Sequence, residues 1–222
     1  MKDAPRLRGG LALRVLALFL GLFLIAVAIV CLLESRLGLA PWDVLHLGLA
    51  RHSPLTIGTA SVVVGLIVLF VAWAAGQPPG FGTVANAIAI GVFVDLLLSM
   101  GSVSRLSDGP LAERGLLLVA GVVVFGIGSA FYIGAGLGAG PRDSLMLVLS
   151  RRTGVRIAVV RACLEISALA VGFLLGGTVG VGTVLVALLL GPSVEGSFWL
   201  FRRVGLAYHA VGQVEPQPLG PV

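Results

Sequence analysis

A chain of 222 residues with 58% hydrophobic and 11% charged residues, and a mean hydropathy of +1.08, lies outside the range of soluble domains and belongs in a membrane. Its net charge of +5 carries no nucleic-acid signature, because the basic residues cluster beside apolar runs, where they set orientation in a bilayer. The sequence holds neither a GxSxG elbow nor a Walker-type phosphate loop, and no Cys/His spacing resembles a metal site, so neither an enzyme nor a cofactor-binding protein is expected.

The first apolar run, Leu11–Leu33, contains only Arg14 and exceeds the roughly 20 residues a helix needs to cross a hydrocarbon core. Its basic leader (Lys2, Arg6, Arg8) and its Ala26-Val27-Ala28 resemble a signal peptide, but the run continues apolar beyond that point and has an internal counterpart at 111–134, so a retained span is expected. Next comes "RLGLAPWDVLHLGLAR", residues 36–51, too short to span as a helix and carrying an acid just after a proline. Leu55–Ala75 has no charge; Gly82–Met100 includes Asn86 and Asp95. Gly115–Gly136 is again uncharged and is followed by "GLGAGPRDSLMLVLSR", residues 136–151. Val155–Gly176 includes Arg156, Arg161 and Glu165, and Val181–Leu200 includes Pro192 and Glu195. Cys31 and Cys163 both fall in apolar runs, which favours small buried hydrophobes over a disulfide.

The order of these segments repeats after 100 residues. Pro41/Pro141, Asp43/Asp143, Arg51/Arg151, Gly80/Gly180, Gly82/Gly182 and Thr83/Thr183 are identical, and Asp95/Glu195 keep their charge. Pro-x-Asp and Gly-x-Gly-Thr in fixed register are not coincidences of an apolar composition. The chain therefore reads as two tandem repeats, 5–100 and 105–205, with a polar tail at 206–222 that is expected to be disordered.

If the short segment crosses, each repeat has four crossings, the repeats are parallel, and every basic loop falls on one side, with both termini in the cytoplasm. If it dips in and returns, Arg51 and the linker with Arg105 and Arg114 lie outside. The eight-segment arrangement is the expectation: an all-α polytopic bundle of two parallel repeats, each with three long helices and one broken half-helix. Proline suits the first turn of a helix and disfavours helix in the residue before it, so an unwound stretch should lead into a half-helix of 11 residues, roughly 17 Å long. Its N-terminus would lie near the midplane, with Asp43 or Asp143 in the first turn, where backbone N–H groups favour a carboxylate.

Glycine- or proline-broken segments at corresponding places of two halves point to a transporter binding site. The candidate substrate-binding residues are Asp43, Asp143, Arg142, Trp42, His46 and Glu165. Pro41, Pro141, Gly80, Gly82, Gly180 and Gly182 are structural turns. The aspartates could equally cap their own half-helices. Positions that differ between halves (Trp42/Arg142, His46/Met146, Ser61/Arg161, Gly65/Glu165) are what an unsymmetrical ligand would select. Arg161 and Glu165, four apart on one helix, can pair. Asp95 and Glu195 read as interfacial structural groups.

"GLAPWDVLHLGL", "GAGPRDSL" and the Gly-x-Gly-Thr starts resemble the YczE/YyaS/YitT family of bacterial integral membrane proteins over nearly the whole chain. The resemblance implies a multi-pass protein of the bacterial plasma membrane and supplies no substrate. Two readings of function follow: a transporter or permease for a small solute or ion with a midplane site between the repeats, and a non-transporting membrane regulator or scaffold acting through its lipid-embedded surface or the loop "RRTGVR". A bundle this small for a transporter suggests a homodimer.

Overall fold

The computed structural model describes residues 6–101 and 108–208. It is all-α apart from a two-residue antiparallel ladder between β1 (Arg6–Leu7) and β2 (Ala207–Tyr208). The helices are α1 (Leu11–Ser35), α2 (Pro41–Arg51), α3 (Ile57–Ala74), α4 (Phe81–Met100), α5 (Leu111–Ala135), α6 (Pro141–Thr153), α7 (Ile157–Leu174) and α8 (Val181–Arg203). Six of them are long and apolar enough to cross a membrane; α2 and α6 are not. The tail expected to be disordered from 206 thus begins with strand β2, and the rest of it, 209–222, lies outside the described residues.

The centre of the bundle is the pair α1–α5, whose windows are 56% and 50% buried against 17–28% for the other four long helices. Glycine makes this pairing close: a Cβ on Gly21 would lie 2.6 Å from the backbone of Gly128 and Tyr132, so only hydrogen fits. Leu18, Leu22 and Leu32 are fully buried around this contact. The two helices run in opposite directions. Arg14, near the start of α1, donates to the carbonyls of Ala135 (2.6 Å) and Gly136 (2.9 Å) at the end of α5. Arg114, near the start of α5, donates to Ser35 (2.8 Å) and Arg36 (3.0 Å) at the end of α1. Each arginine caps the carbonyl end of the other half's first helix, where unpaired C=O groups and the helix dipole favour a cation.

This arrangement corrects the parallel, eight-crossing expectation. The end of α2 and the start of α3 both lie on the side on which α1 ended: Arg51, closing α2, donates to the Gly176 carbonyl of the α7–α8 turn, while Gly58, opening α3, donates to Asp95 near the end of α4. Helix α2 therefore dips in and comes back, three crossings remain per half, and an odd number of crossings inverts the second half. The chain has six crossings and two re-entrant half-helices. Both strands, the α3–α4 turn and the end of α6 share one face, here the terminal face; Arg151 donates to Gln77 across it at 3.0 Å. The end of α4, the start of α5, the end of α2 and the α7–α8 turn share the other, the linker face.

Candidate functional site

Each half-helix begins as the sequence dictates. Pro41 and Pro141 occupy its first turn, preceded by Ala40 and Gly140 in extended backbone. The unwound stretches before them turn at Gly38 (φ +126°) and Gly138 (φ +144°), conformations that favour glycine. Unwound backbone inside a membrane must be received by protein. The receiver is the Gly-x-Gly-Thr motif of the opposite half: Gly82 N–H donates to the Leu137 carbonyl and Gly182 N–H to the Leu37 carbonyl, both at 2.8 Å. A Cβ on Gly82 would lie 3.0 Å from the Leu137 carbonyl and one on Gly182 2.8 Å from the Leu37 carbonyl, while Thr83 and Thr183 turn back to accept from Gly80 and Gly180 N–H. Gly80, Gly82, Gly180 and Gly182 are thus turn and close-packing residues that also clasp the other half's broken helix.

The consequence is that α2 and α6 approach from opposite faces and their N-termini meet inside the bundle. At the meeting point the Arg142 guanidinium stacks over the Trp42 ring, 4.8 Å from its centroid. Asp43 is buried, with Oδ1 3.4 Å from His46 Nδ1. The carboxylates within electrostatic reach of Arg142 are Asp43, Asp143 and Glu165, and Asp143 feels Arg161, Arg142 and Glu165. Five of the six candidate binding residues therefore converge directly, and Glu165 joins them from α7, paired with Arg161 at 2.9 Å. Tyr132 and Asn86 were not singled out as binding candidates from sequence: a Cβ on Gly140 would lie 3.2 Å from Tyr132 Oη, 3.6 Å from Asp143 Oδ2 and 3.8 Å from Asn86 Oδ1. Both are lone polar residues in apolar runs, and only the crossing of α4 and α5 brings them to α6.

Among the described residues, the side chains of Arg142 and Asp143 have no hydrogen bond or ion pair to protein, and no backbone N–H donates to either aspartate. Among the described residues no buried side-chain polar atom is left without a partner, so these groups open into space instead of sitting sealed in the core. A narrow cleft of about 10 Å³, room for about one water, is lined by Asp43, His46, Ser61, Leu33, Leu39 and apolar neighbours. On the linker face a cavity of about 430 Å³ is lined by Glu34, Arg36, Leu47, Arg51 and Thr178, and by the same Leu33 and Leu39. Leu33 and Leu39 line both the outer cavity and the cleft at the Asp43–His46 pair. No three His, Cys, Asp or Glu side chains converge as metal ligands among the described residues.

Six spans, two re-entrant half-helices meeting end to end and a cluster of ionisable groups around their tips define a polytopic membrane protein with an intramembrane polar site. The chain belongs to a family of unknown function, DUF6198, whose model matches residues 12–197. It is similar to the uncharacterized membrane protein YczE of Bacillus subtilis (strain 168), with 37% identity over 205 residues, 91% of this chain and 93% of the relative. An uncharacterized protein of Haemophilus influenzae is 39% identical over 163 residues, 72% of each chain, and the uncharacterized protein YyaS of B. subtilis is 27% identical over 197 residues, 84% and 96%. No solved structure matches.

Proposed function

We propose that this protein is a transporter or permease for a small polar solute or ion, not an enzyme, with its site where the tips of α2 and α6 meet. The observation that carries the reading is the pair Arg142 and Asp143, ionisable groups inside a membrane bundle with open hydrogen-bonding capacity. Ionisable groups at that depth are expensive and mark substrate or ion paths. Two half-helix N-termini add a partial positive charge of about 0.5 each. With Arg142 and Arg161 they offset Asp43, Asp143 and Glu165, so the site suits a neutral or zwitterionic solute better than a strongly charged one. The outer cavity on the linker face supplies an approach, with Leu33 and Leu39 as the barrier.

The orientation follows from charge. Arg6, Arg8, Arg14, Arg151, Arg152, Arg156, Arg202 and Arg203 lie at the terminal face, against Arg36, Arg51 and Arg114 at the linker face among the described residues. The positive-inside rule puts the terminal face, with both termini, in the cytoplasm of a bacterial plasma membrane.

The test is a thermal-shift screen of detergent-purified wild type against small metabolites and ions, with Asp43→Asn/Asp143→Asn alongside. A solute present at about 100 times its Kd stabilises the protein by about 2.7 kcal/mol. The expected result is a solute that stabilises the wild type and not the double variant, while both melt at similar temperatures without it. A double variant that melts far earlier, with no stabilising solute for either protein, would instead support a membrane regulator or scaffold in which the aspartates only hold the fold.

A further inference from the structure

The two halves differ in one large feature. Helices α3 and α4 pack along their length, whereas their counterparts α7 and α8 make almost no contact. The cause is written in four pairs of equivalent positions. Thr56 and Gly58 hold α3 on α4, since the Thr56 hydroxyl and the Gly58 N–H both donate to Asp95. Gly65 lets α3 approach Ala87, a Cβ there being 3.3 Å from the Ala87 carbonyl. The counterparts are Arg156, Ala158 and Glu165, with Arg161 in place of Ser61. Two long charged side chains stand where small ones allow contact, and the hydroxyl that could have bound Glu195 is gone. Accordingly Gly91 is buried against Gly58, whereas nothing lies within 4 Å of a Cβ on Gly191.

Helix α8 is not displaced, because Ser193 ties it to the Val122 carbonyl of α5 at 2.9 Å. It is α7 that stands off, leaving a cleft between the helices in the half of the membrane nearest the terminal face. Arg161 and Glu165 line it with side chains 62% and 35% exposed. An ion pair open to hydrocarbon is costly, so this cleft is built to hold something polar. It also adjoins the half-helix that carries Asp143, because α6 and α7 pack together.

Resting on the midplane site proposed above, we infer that the cleft between α7 and α8 is a lateral entrance from the terminal-face leaflet, and that the solute is an amphiphile whose zwitterionic headgroup enters there. Arg161 and Glu165 offer a cation and an anion one helical turn apart, which matches a phosphate and an amine carried on one headgroup. The apolar chain stays in the bilayer beside the exposed faces of α7 and α8, where Ile166 and Leu188 are 65% and 66% exposed.

The experiment uses the full chain in vesicles, with Cys31→Ala/Cys163→Ala as background. A bimane fluorophore on Gly191→Cys reports the cleft, and one on Leu188→Cys is the lipid-facing reference. Brominated lipids should quench both, the first at least half as strongly. In Arg161→Ser/Glu165→Gly, which restores the small residues of the first half, α7 should close on α8 and quenching at 191 should fall severalfold. Lysophosphatidylethanolamine should raise the melting temperature of the wild type by several degrees, an effect lost in Arg161→Gln/Glu165→Gln and retained in Arg161→Lys. Glycerophosphoethanolamine, the headgroup alone, should do little at the same concentration. Three results overturn the inference: iodide but not bromolipid quenching at 191, which makes the cleft a water channel; no quenching with crosslinking between two copies through 191, which makes it a homodimer contact; and no response to the lysolipid. A soluble solute that stabilises wild type but not Asp43→Asn/Asp143→Asn, with no lysolipid effect, would sink the entrance and leave the midplane site standing.

Discussion

Trp42 and Arg142 are equivalent positions of the two halves, yet they meet face to face. Where two inverted units touch at their symmetry axis, equivalent residues become neighbours, and a symmetric pair of arginines there would repel. One tryptophan and one arginine turn that conflict into a cation–π contact, worth about 2 kcal/mol when removed from water. Trp42→Ala should lower stability by about that much and Trp42→Phe by less, measured as thermal denaturation in detergent. An equal loss in both variants would show that an aromatic face over the guanidinium is not what holds the position. The residue types at this site were legible in the sequence as acids, an arginine and a tryptophan beside prolines; their partners were not. Asp143, Tyr132 and Asn86 gather around Gly140 from three different helices, and no spacing along the chain encodes that.

At the scale of elements, the conserved charge of Asp95 and Glu195 hides unequal roles. Asp95 accepts from the Thr56 hydroxyl and, at 2.9 Å, from Gly58 N–H. Among the described residues no hydrogen bond or ion pair holds Glu195. Leaving the buried Gly58 N–H without its partner costs about 1–3 kcal/mol, so Asp95→Ala should destabilise by that amount, whereas Glu195→Ala should change stability by about 0.5 kcal/mol or less. Equal losses would mean that α7 and α8 close in solution as α3 and α4 do. The re-entrant elements depend on glycine at their backs. A Cβ on Gly172 of α7 would lie 2.4 Å from the Leu45 backbone nitrogen of α2, a contact that no flexible side chain can relieve. Gly172→Ala should therefore cost about 1–3 kcal/mol, the usual penalty for overpacking, read from the same melting curves. The existence and near boundaries of all eight helices were legible, because proline starts the short ones and apolar runs define the long ones. The unwound stretches were legible too, from glycine before proline.

For the whole molecule, the crossing number is the decisive property. Six crossings place the α3–α4 turn on the same side as strands β1 and β2, and the end of α4 and the start of α5 on the opposite side. Reporter fusions in the two segments should give opposite signals: the one after Gly80 should be active as a cytoplasmic reporter and the one within 102–107 as an external one. The same signal as the termini from 102–107 would restore the eight-crossing arrangement. Charge counting alone favoured eight, since it gathers nearly every arginine on one side. It failed because Arg51 and Arg114 have local employment: Arg51 donates to the α7–α8 turn, and Arg114 caps the end of α1.

By itself the sequence determined that this is a membrane protein of six long helices and two proline-started half-helices with acids at their tips. Those properties rest on short-range physics: apolar length, the fixed φ of proline and the freedom of glycine. Only the tertiary structure decided that the half-helices turn back, that the halves are inverted, that each Gly-x-Gly-Thr clasps the other half's unwound chain, and that α7 stands away from α8. These are contacts between residues 55 to 145 apart in the chain, and they depend on which backbones can approach closely enough to exchange hydrogen bonds, something no periodicity within one half records.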